Sequence, residues 1–288
     1  MRQALIETAR AKVNLTLRVL GRRPNGYHEL ESLVAFADVG DGIEYHPGVA
    51  PAVTVRGPFA EFIAGSNIAA LALQRTAAAA PGIELGAVVI EKRLPVAAGL
   101  GGGSADAAAV LRALRRANPA REAAIDWHAI AASLGADVPV CLLSAAQFMW
   151  GTGHDTVVMP PLPPLPAVLV NPGVPLATAT VFRALAAAPV ASPTRTPVAP
   201  GPYRDATAVI AYMRDHANDL EPVAAALCPP IGLVLAALRA LPGVRMARMS
   251  GSGPTCFALF DTAADAADAA RRVSGGEPHW WVETTTLG

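Results

Sequence analysis

The chain has no net charge: 23 Lys and Arg residues balance 23 Asp and Glu among 288. No overall field therefore gathers a polyanion such as nucleic acid, or an anionic membrane surface, and a small-molecule partner is expected. Cysteine is scarce as well. Cys141, Cys228 and Cys256 are odd in number, far apart and without metal-ligand spacing to any histidine, so they read as small buried side chains in a reducing compartment. His46, His128, His154, His216 and His279 are equally scattered and are assigned no chemistry. A secretory leader is not expected, because Glu7, Arg10 and Lys12 fall where its apolar segment would lie. The expectation is a cytoplasmic protein.

Uncharged length is present once, from Thr156 to Phe182, and it is long enough to cross a bilayer. Seven prolines within it, among them Pro160, Pro161, Pro163, Pro164 and Pro166, remove donors and clash with preceding carbonyls, which excludes a membrane helix. The segment reads instead as a stiff connector and a buried strand at Ala167–Val170. No internal repeat is visible, and the proline-rich connector divides the chain into expected domains 1–159 and 160–288.

What is present is a mixed α and β pattern. Leu5 to Leu20 alternates through Lys12, Asn14, Thr16 and Arg18, the period of a half-buried strand with those four on one face. Short strands are expected at Ile43–His46, Val53–Arg56 and Val88–Glu91, a hairpin over Gln147–Val158, and strands at Met246–Ser250 and Cys256–Phe260. Helices are expected from about Asn67 to Ala79, from a cap at Ser104 to Asn118, and over Asp126–Leu134, Asp219–Leu227, Gly232–Ala240 and Thr262–Val273. Ala184–Pro202, rich in Ala and Pro without periodicity, reads as a mobile surface segment.

The strongest chemical signal is Leu94-Pro-Val-Ala-Ala-Gly-Leu-Gly-Gly-Gly-Ser-Ala-Asp-Ala, which joins an expected strand to an expected helix. Its four glycines let successive N–H groups converge, and the helix that follows offers unpaired donors and a positive dipole end to a phosphate. Ser104 adds a hydroxyl for phosphate or a phosphate-bound magnesium ion. A Walker A loop is excluded because no lysine follows Gly103. A dinucleotide fingerprint fits Gly99-Leu-Gly101 but arrives about a hundred residues into the chain, and ranks below a triphosphate site. A turn that merely packs a helix on a sheet needs fewer glycines.

Pro95 to Ala107 closely resembles the phosphate-binding motif of GHMP kinases. Ala11-Lys-Val-Asn-Leu is similar to the first motif of that family and Met249-Ser-Gly-Ser-Gly-Pro-Thr-Cys-Phe to its third. Arg22-Arg-Pro-Asn-Gly-Tyr-His-Glu-Leu, Leu134-Gly-Ala-Asp-Val-Pro-Val and Ala217-Asn-Asp-Leu-Glu resemble the branch acting on a cytidine diphosphate ester of methylerythritol. The chain departs at Ala105 and Asp106, where the family commonly shows Ser or Asn.

The resemblance implies an α+β, two-domain fold: an N-terminal nucleotide-binding domain of ribosomal-S5-like type, a C-terminal α/β sandwich and an active site in the cleft between them. It implies phosphoryl transfer from ATP, with Mg2+, to the 2-hydroxyl of that ester, without nucleic acid or membrane partners, by a monomer or weak homodimer. It places Asp137 and Lys12 at the acceptor hydroxyl, Asp137 to accept its proton and Lys12 to hold charge and orientation. ATP contacts are implied at Pro95, Val96, Ala97, Ala98, Gly99, Leu100, Gly101, Gly102, Gly103, Ser104 and Ala105, with Asn67 and Lys92 beside them; no metal ligand is assigned.

On the acceptor side, Asn14 shares a strand face with Lys12. Tyr27 and His28 follow an Asn25-Gly26 turn and offer an aromatic face and a hydrogen-bonding ring to a pyrimidine. Thr178 and Phe182 are carried over by resemblance, and Gly251, Ser252 and Gly253 let backbone approach the acceptor closely. A homoserine or mevalonate kinase is the rival within the family, opposed by Gly26-Tyr27-His28. A non-catalytic nucleotide sensor is the rival outside it, and needs neither Lys12 nor Asp137.

Overall fold

The computed structural model describes residues 3–63, 67–190 and 196–288. In chain order its strands are β1 (Leu5–Asn14), β2 (Arg18–Arg22), β3 (His28–Pro47), β4 (Ala52–Arg56), β5 (Gly86–Glu91), β6 (Gln147–Gly151), β7 (Asp155–Val158), β8 (Leu165–Asn171), β9 (Met246–Met249), β10 (Cys256–Leu259) and β11 (Trp281–Leu287). Its α-helices are α1 (Ile68–Ala79), α2 (Gly102–Ala117), α3 (Trp127–Leu134), α4 (Val138–Leu143), α5 (Thr178–Leu185), α6 (Ala206–Asp215), α7 (Glu221–Leu227), α8 (Pro229–Arg239) and α9 (Ala263–Gly276). Two compact units form, one of Met1–Ala11, Gly40–Val96 and Gly101–Ser144, the other of Lys12–Val39, Ala97–Leu100 and Ala145–Gly288.

In the first unit β4 pairs parallel with β5, and β5 pairs antiparallel with the last part of β3, from Gly42 opposite Glu91 to Pro47 opposite Gly86. Helix α2 packs against α1, α3 and α4. Its run Ala105, Ala107, Ala108, Ala109, Val110, Leu111, Ala113 and Leu114 is buried. Alanine supplies helix propensity and lets neighbouring helices approach closely, so a helix buried along most of Ala105–Leu114 needs few large side chains. Arg112 ties α2 to the start of the chain, donating to Glu7 Oε2 at 2.9 Å, to Thr8 O at 2.9 Å and to Cys141 O at 3.0 Å.

In the second unit β3 pairs with β2 and β6, and β6 turns back into β7. Strand β8 lies between β11 and β10, and β9 lies beyond β10, all antiparallel. The core joins Val168 and Val170 of β8 to Leu220 just before α7, to Ile231, Val234, Leu235 and Leu238 of α8, and to Met249, Ala258 and Phe260. Each such aliphatic side chain contributes roughly 1.5–3 kcal/mol on burial. Among the described residues, no helix is long and apolar enough to cross a membrane.

Most expected elements form within a residue or two of their expected ends, with corrections at four places. The first strand ends at Asn14, and from Ala11 to Leu17 both faces are covered, so the half-buried alternation holds only before Ala9. Arg18 is exposed and belongs to β2. The short strand at Ile43–His46 is the end of a 20-residue strand; Asp38, Gly40, Asp41 and Gly42 read locally as turn residues but lie within its ladder. Helix α2 starts at Gly102 behind a left-handed Gly101 (φ 64°), without a side-chain cap. Ser104 is therefore inside the first turn and is not the cap. The segment 184–202 begins in α5 and then pairs with β2, Arg22 N–H donating to Ala188 O at 2.8 Å and Val190 N–H to Arg22 O at 2.9 Å. Residues 191–195 lie outside the described residues.

Candidate active site

The glycine-rich loop leaves β5 through Lys92 and enters α2. Left-handed backbone recurs at Ala97 (φ 53°), Gly99 (φ 74°) and Gly101 (φ 64°), an alternation that turns N–H groups toward one side as an anion cradle requires. The first turn of α2 follows directly, with its unpaired donors and positive dipole end.

In the second unit, residues 97–100 interlock with the turn that follows β9. A Cβ at Gly99 would stand 2.6 Å from Ser250 O and 2.8 Å from Gly253 O, so only glycine fits. Thr255 N–H donates to Ala98 O at 3.2 Å, and Lys12 N–H donates to Leu100 O at 2.9 Å. The Ser250 hydroxyl accepts from Asn14 N–H at 3.1 Å and donates to Gly99 O at 3.0 Å. Asn14 is oriented by Ser32: its Nδ2 donates to Ser32 Oγ at 2.7 Å, and that hydroxyl donates to Thr16 O at 2.5 Å. Its Oδ1 faces Gly251, where a Cβ would stand at 3.1 Å. Asn14, Gly99 and Gly251, expected from three separate motifs, are thus neighbours.

Within the first unit Lys92 is buried between two carboxylates, with Nζ 2.5 Å from Asp41 Oδ2 and 2.7 Å from Asp106 Oδ2. Asp41 Oδ1 accepts from the N–H groups of Arg93 and Leu94 at 2.6 and 2.8 Å, so it holds both the lysine and the entry to the loop. A Cβ at Gly102 would lie 3.2 Å from Lys92 Nζ, which puts the ammonium against the first turn of α2. Two of its three donors face carboxylates. Fully ionised, the three groups carry one excess negative charge. Burial, opposed by Lys92 and reinforced by Asp41, pushes the Asp106 carboxyl up to about 7. Asp106 Oδ1 is buried without a hydrogen-bond partner. Burial works against the charge of Lys92, but its two carboxylates outweigh that and raise its pKa.

In the second unit the rings of His28 and Phe182 lie 4.9 Å apart and are tilted by 33°. Burial, aided by Arg22, lowers the His28 pKa, so the ring is neutral near pH 7 and can both donate and accept. Tyr27 is 63% exposed, and its N–H closes an Asx turn on Asn25 Oδ1 at 3.1 Å. Thr178 Oγ1 and Ser252 Oγ are 2.8 Å apart. Four separately expected residues therefore form two contacting pairs.

Lys12 is buried near the end of β1, in the second unit, and Asp137 is half-buried immediately before α4, in the first. Asp137 makes no side-chain cap bond to that helix, which removes the helix-cap explanation for an aspartate there. Asn67 does cap, its Oδ1 accepting from Ala69 N–H at 2.8 Å. Residues outside the expected set also hold the site: Ser32, Asp41, Asp106 and Ser250. Ser250 and Asp106 stand inside quoted motifs and were legible there; Ser32 and Asp41 carry no local signal, because their partners are remote in sequence.

A glycine loop of this geometry, laced to a second glycine turn, defines a class, and the chain belongs to the GHMP kinases. The family described as "GHMP kinases N terminal domain" matches residues 63–145, and "GHMP kinases C terminal" matches residues 202–277. The chain is an ATP-dependent phosphotransferase of the two-domain GHMP kinase fold. Within that class it is a member of the 4-diphosphocytidyl-2-C-methyl-D-erythritol kinase family. A protein of that name from Bradyrhizobium sp. (strain ORS 278) is 47% identical, covering 99% of this chain and 97% of the relative. One from Rhodopseudomonas palustris (strain ATCC BAA-98 / CGA009) is 48% identical over 98% and 97%. A crystal structure of 4-(cytidine 5'-diphospho)-2C-methyl-D-erythritol kinase superposes with a TM-score of 0.79 at 35% identity, covering 99% of both chains. Homoserine kinase from Cytophaga hutchinsonii shares the fold, with a TM-score of 0.71 at 18% identity and coverage of 100% and 96%.

Proposed function

We propose that this protein transfers the γ-phosphoryl group of ATP to the 2-hydroxyl of 4-diphosphocytidyl-2-C-methyl-D-erythritol. The observation that carries the acceptor assignment is the ring pair of His28 and Phe182, joined through one unit to Thr178, Ser252 and Asn14. A neutral His28 offers a cytosine edge a donor and an acceptor, while Phe182 and the exposed Tyr27 offer ring faces. Nothing in such a pair serves homoserine or mevalonate, which have no base to stack.

Phosphoryl transfer leaves a protein to align the acceptor and to neutralise spreading charge. The N–H groups from Ala97 to Ser104 hold the triphosphate, with the α2 dipole at their end, while the Ala105 N–H is taken by Gly101 O. Asp137 accepts the proton of the acceptor hydroxyl as its oxygen attacks the γ-phosphorus, and ADP leaves with the electrons of the broken bond. Lys12 holds the hydroxyl and the developing charge. Lys92 acts on the nucleotide side by holding the loop, with one donor left for ligand. Asn14 and the Gly251–Gly253 turn seat the methylerythritol and phosphate part.

Among the described residues, no group of three His, Cys, Asp or Glu side chains forms a metal cage. That fits magnesium, which binds through nucleotide phosphates and at most one or two protein oxygens. Bound with ATP, it neutralises phosphate charge. The test is ADP release with ATP and magnesium, comparing the cytidine ester with homoserine, mevalonate and no acceptor. Turnover with the cytidine ester alone is expected. Equal turnover with homoserine or mevalonate would overturn the acceptor, and none with any acceptor, in protein that binds ATP, would favour a nucleotide sensor.

A further inference from the structure

The segment Ala217-Asn-Asp-Leu-Glu supplies no group to the mechanism above, yet each of its three polar side chains bonds to backbone. Asn218, 3% exposed, donates both protons of its Nδ2 to carbonyls, to Met249 O at 2.8 Å and to Gly251 O at 2.8 Å. Its Oδ1 accepts from Leu220 N–H at 3.0 Å. Only one orientation of the amide satisfies all three bonds, because a flip would put oxygen against two carbonyls. The backbone of Asn218 is itself fixed: Leu17 N–H donates to Ala217 O at 3.1 Å and Asp219 N–H to Leu17 O at 2.8 Å. Asp219 Oδ2 accepts from Val19 N–H at 2.7 Å, and Glu221 Oε2 accepts from Met249 N–H at 2.8 Å. Arg248, 8% exposed, donates to the carbonyls of Leu15, His216 and Met213 at 2.7–2.9 Å.

The bonds from Asn218 bracket Ser250, which holds Asn14 and Gly99, and they end at Gly251, whose left-handed φ of 57° faces Asn14 Oδ1. The carbonyls they fix are those that set where residues 250–253 run.

We propose that Asn218 is a positioning residue for the phosphoryl acceptor, acting through the Met249 and Gly251 carbonyls to hold the Ser250–Gly253 turn against Asn14. It touches no substrate atom itself. Where it concerns the acceptor, this inference rests on the function proposed above. Asparagine is required because two carbonyls must be met by two donors on one atom, whereas aspartate of the same shape presents oxygen to both.

The test is Asn218→Asp in the full-length protein, with two readouts. Hydrogen exchange of residues 249–255 should accelerate while that of α2 does not. The KM for the cytidine acceptor should rise by about tenfold or more, and by a larger factor than the KM for ATP, because the Gly251 end of the clamp faces Asn14 directly and reaches the glycine-rich loop only through Ser250. A purely structural role would lower Tm and leave the kinetic constants of the folded fraction alone. Unchanged exchange at 249–255, or ATP and acceptor constants that move by the same factor, overturns the proposal. If the aspartate variant does not fold, Asn218→Ser, which keeps one donor, is read in the same two ways. Wild-type protein inactive on the cytidine ester would count against the acceptor assignment, and the exchange pattern would then decide the clamp by itself.

Discussion

The hydroxyl of Ser250 accepts the backbone N–H of Asn14 at 3.1 Å and passes its own proton to Gly99 O at 3.0 Å. One fully buried side chain thus joins β1, the glycine-rich loop and the turn after β9. Ser250→Ala leaves a buried donor and a buried acceptor unmet and should lower stability by about 1–3 kcal/mol, measured by denaturant unfolding. A change below about 0.5 kcal/mol, the scatter of unremarkable surface substitutions, would mean that water takes over both bonds.

Gly99→Ala is expected to be worse than its size suggests. Its left-handed φ alone costs on the order of 1–3 kcal/mol for a non-glycine residue. The added Cβ would also lie 2.6 Å from Ser250 O, a backbone atom that cannot swing aside. ATP affinity by fluorescence titration should fall together with Tm, and an unaltered ATP affinity would detach this loop from nucleotide binding.

Asp137→Ala should nearly abolish transfer while ATP binding persists, because in the proposed mechanism the carboxylate serves the acceptor hydroxyl and not the triphosphate. Turnover at the wild-type rate removes Asp137 from the mechanism. Phe182→Ala and Tyr27→Ala should each raise the acceptor KM, by a factor that follows from stacking worth about 1–3 kcal/mol per base. An effect on KM for ATP instead would reassign the rings.

The buried cluster of Asp41, Lys92 and Asp106 makes stability depend on pH. The Asp106 carboxyl is raised from the ordinary aspartate value of 3.8 to about 7, so the folded protein holds its proton where the unfolded chain has released it. Its contribution is full below the unfolded pKa and is lost as pH rises from about 4 to about 7. Asp106→Asn lacks this loss, so relative to wild type it should gain stability over that interval and stay level above it. Melting curves from pH 4.5 to 8 without nucleotide or metal test this, and parallel curves would show that Asp106 ionises normally.

The local rules were sufficient for much of the fold. Alanine-rich α2, the caps at Asn67, Asp126 and Thr262, and the hairpin through Gly151 all follow from short-range propensity and hydrogen bonding. They failed where context overrides propensity: Asp38 to Gly42 look like a turn but continue β3, and Ser104 looks like a cap but follows a helix start set by Gly101. The quoted motifs identified Asn14, Gly99, Gly251 and His28 as candidates, and Phe182 entered only through the family resemblance.

The amino-acid sequence alone determined the family, the phosphate-binding loop and the residue types available for transfer, since these depend on which groups exist and in what order. Tertiary structure decided which groups are already engaged and which are neighbours. It set Lys92 between Asp41 and Asp106, put His28 on Phe182, and turned Asn218 to the carbonyls beside Ser250. Those relations join residues from 14 to 154 positions apart, and the desolvation and hydrogen-bond geometry that govern them exist only once the chain has closed over the buried groups.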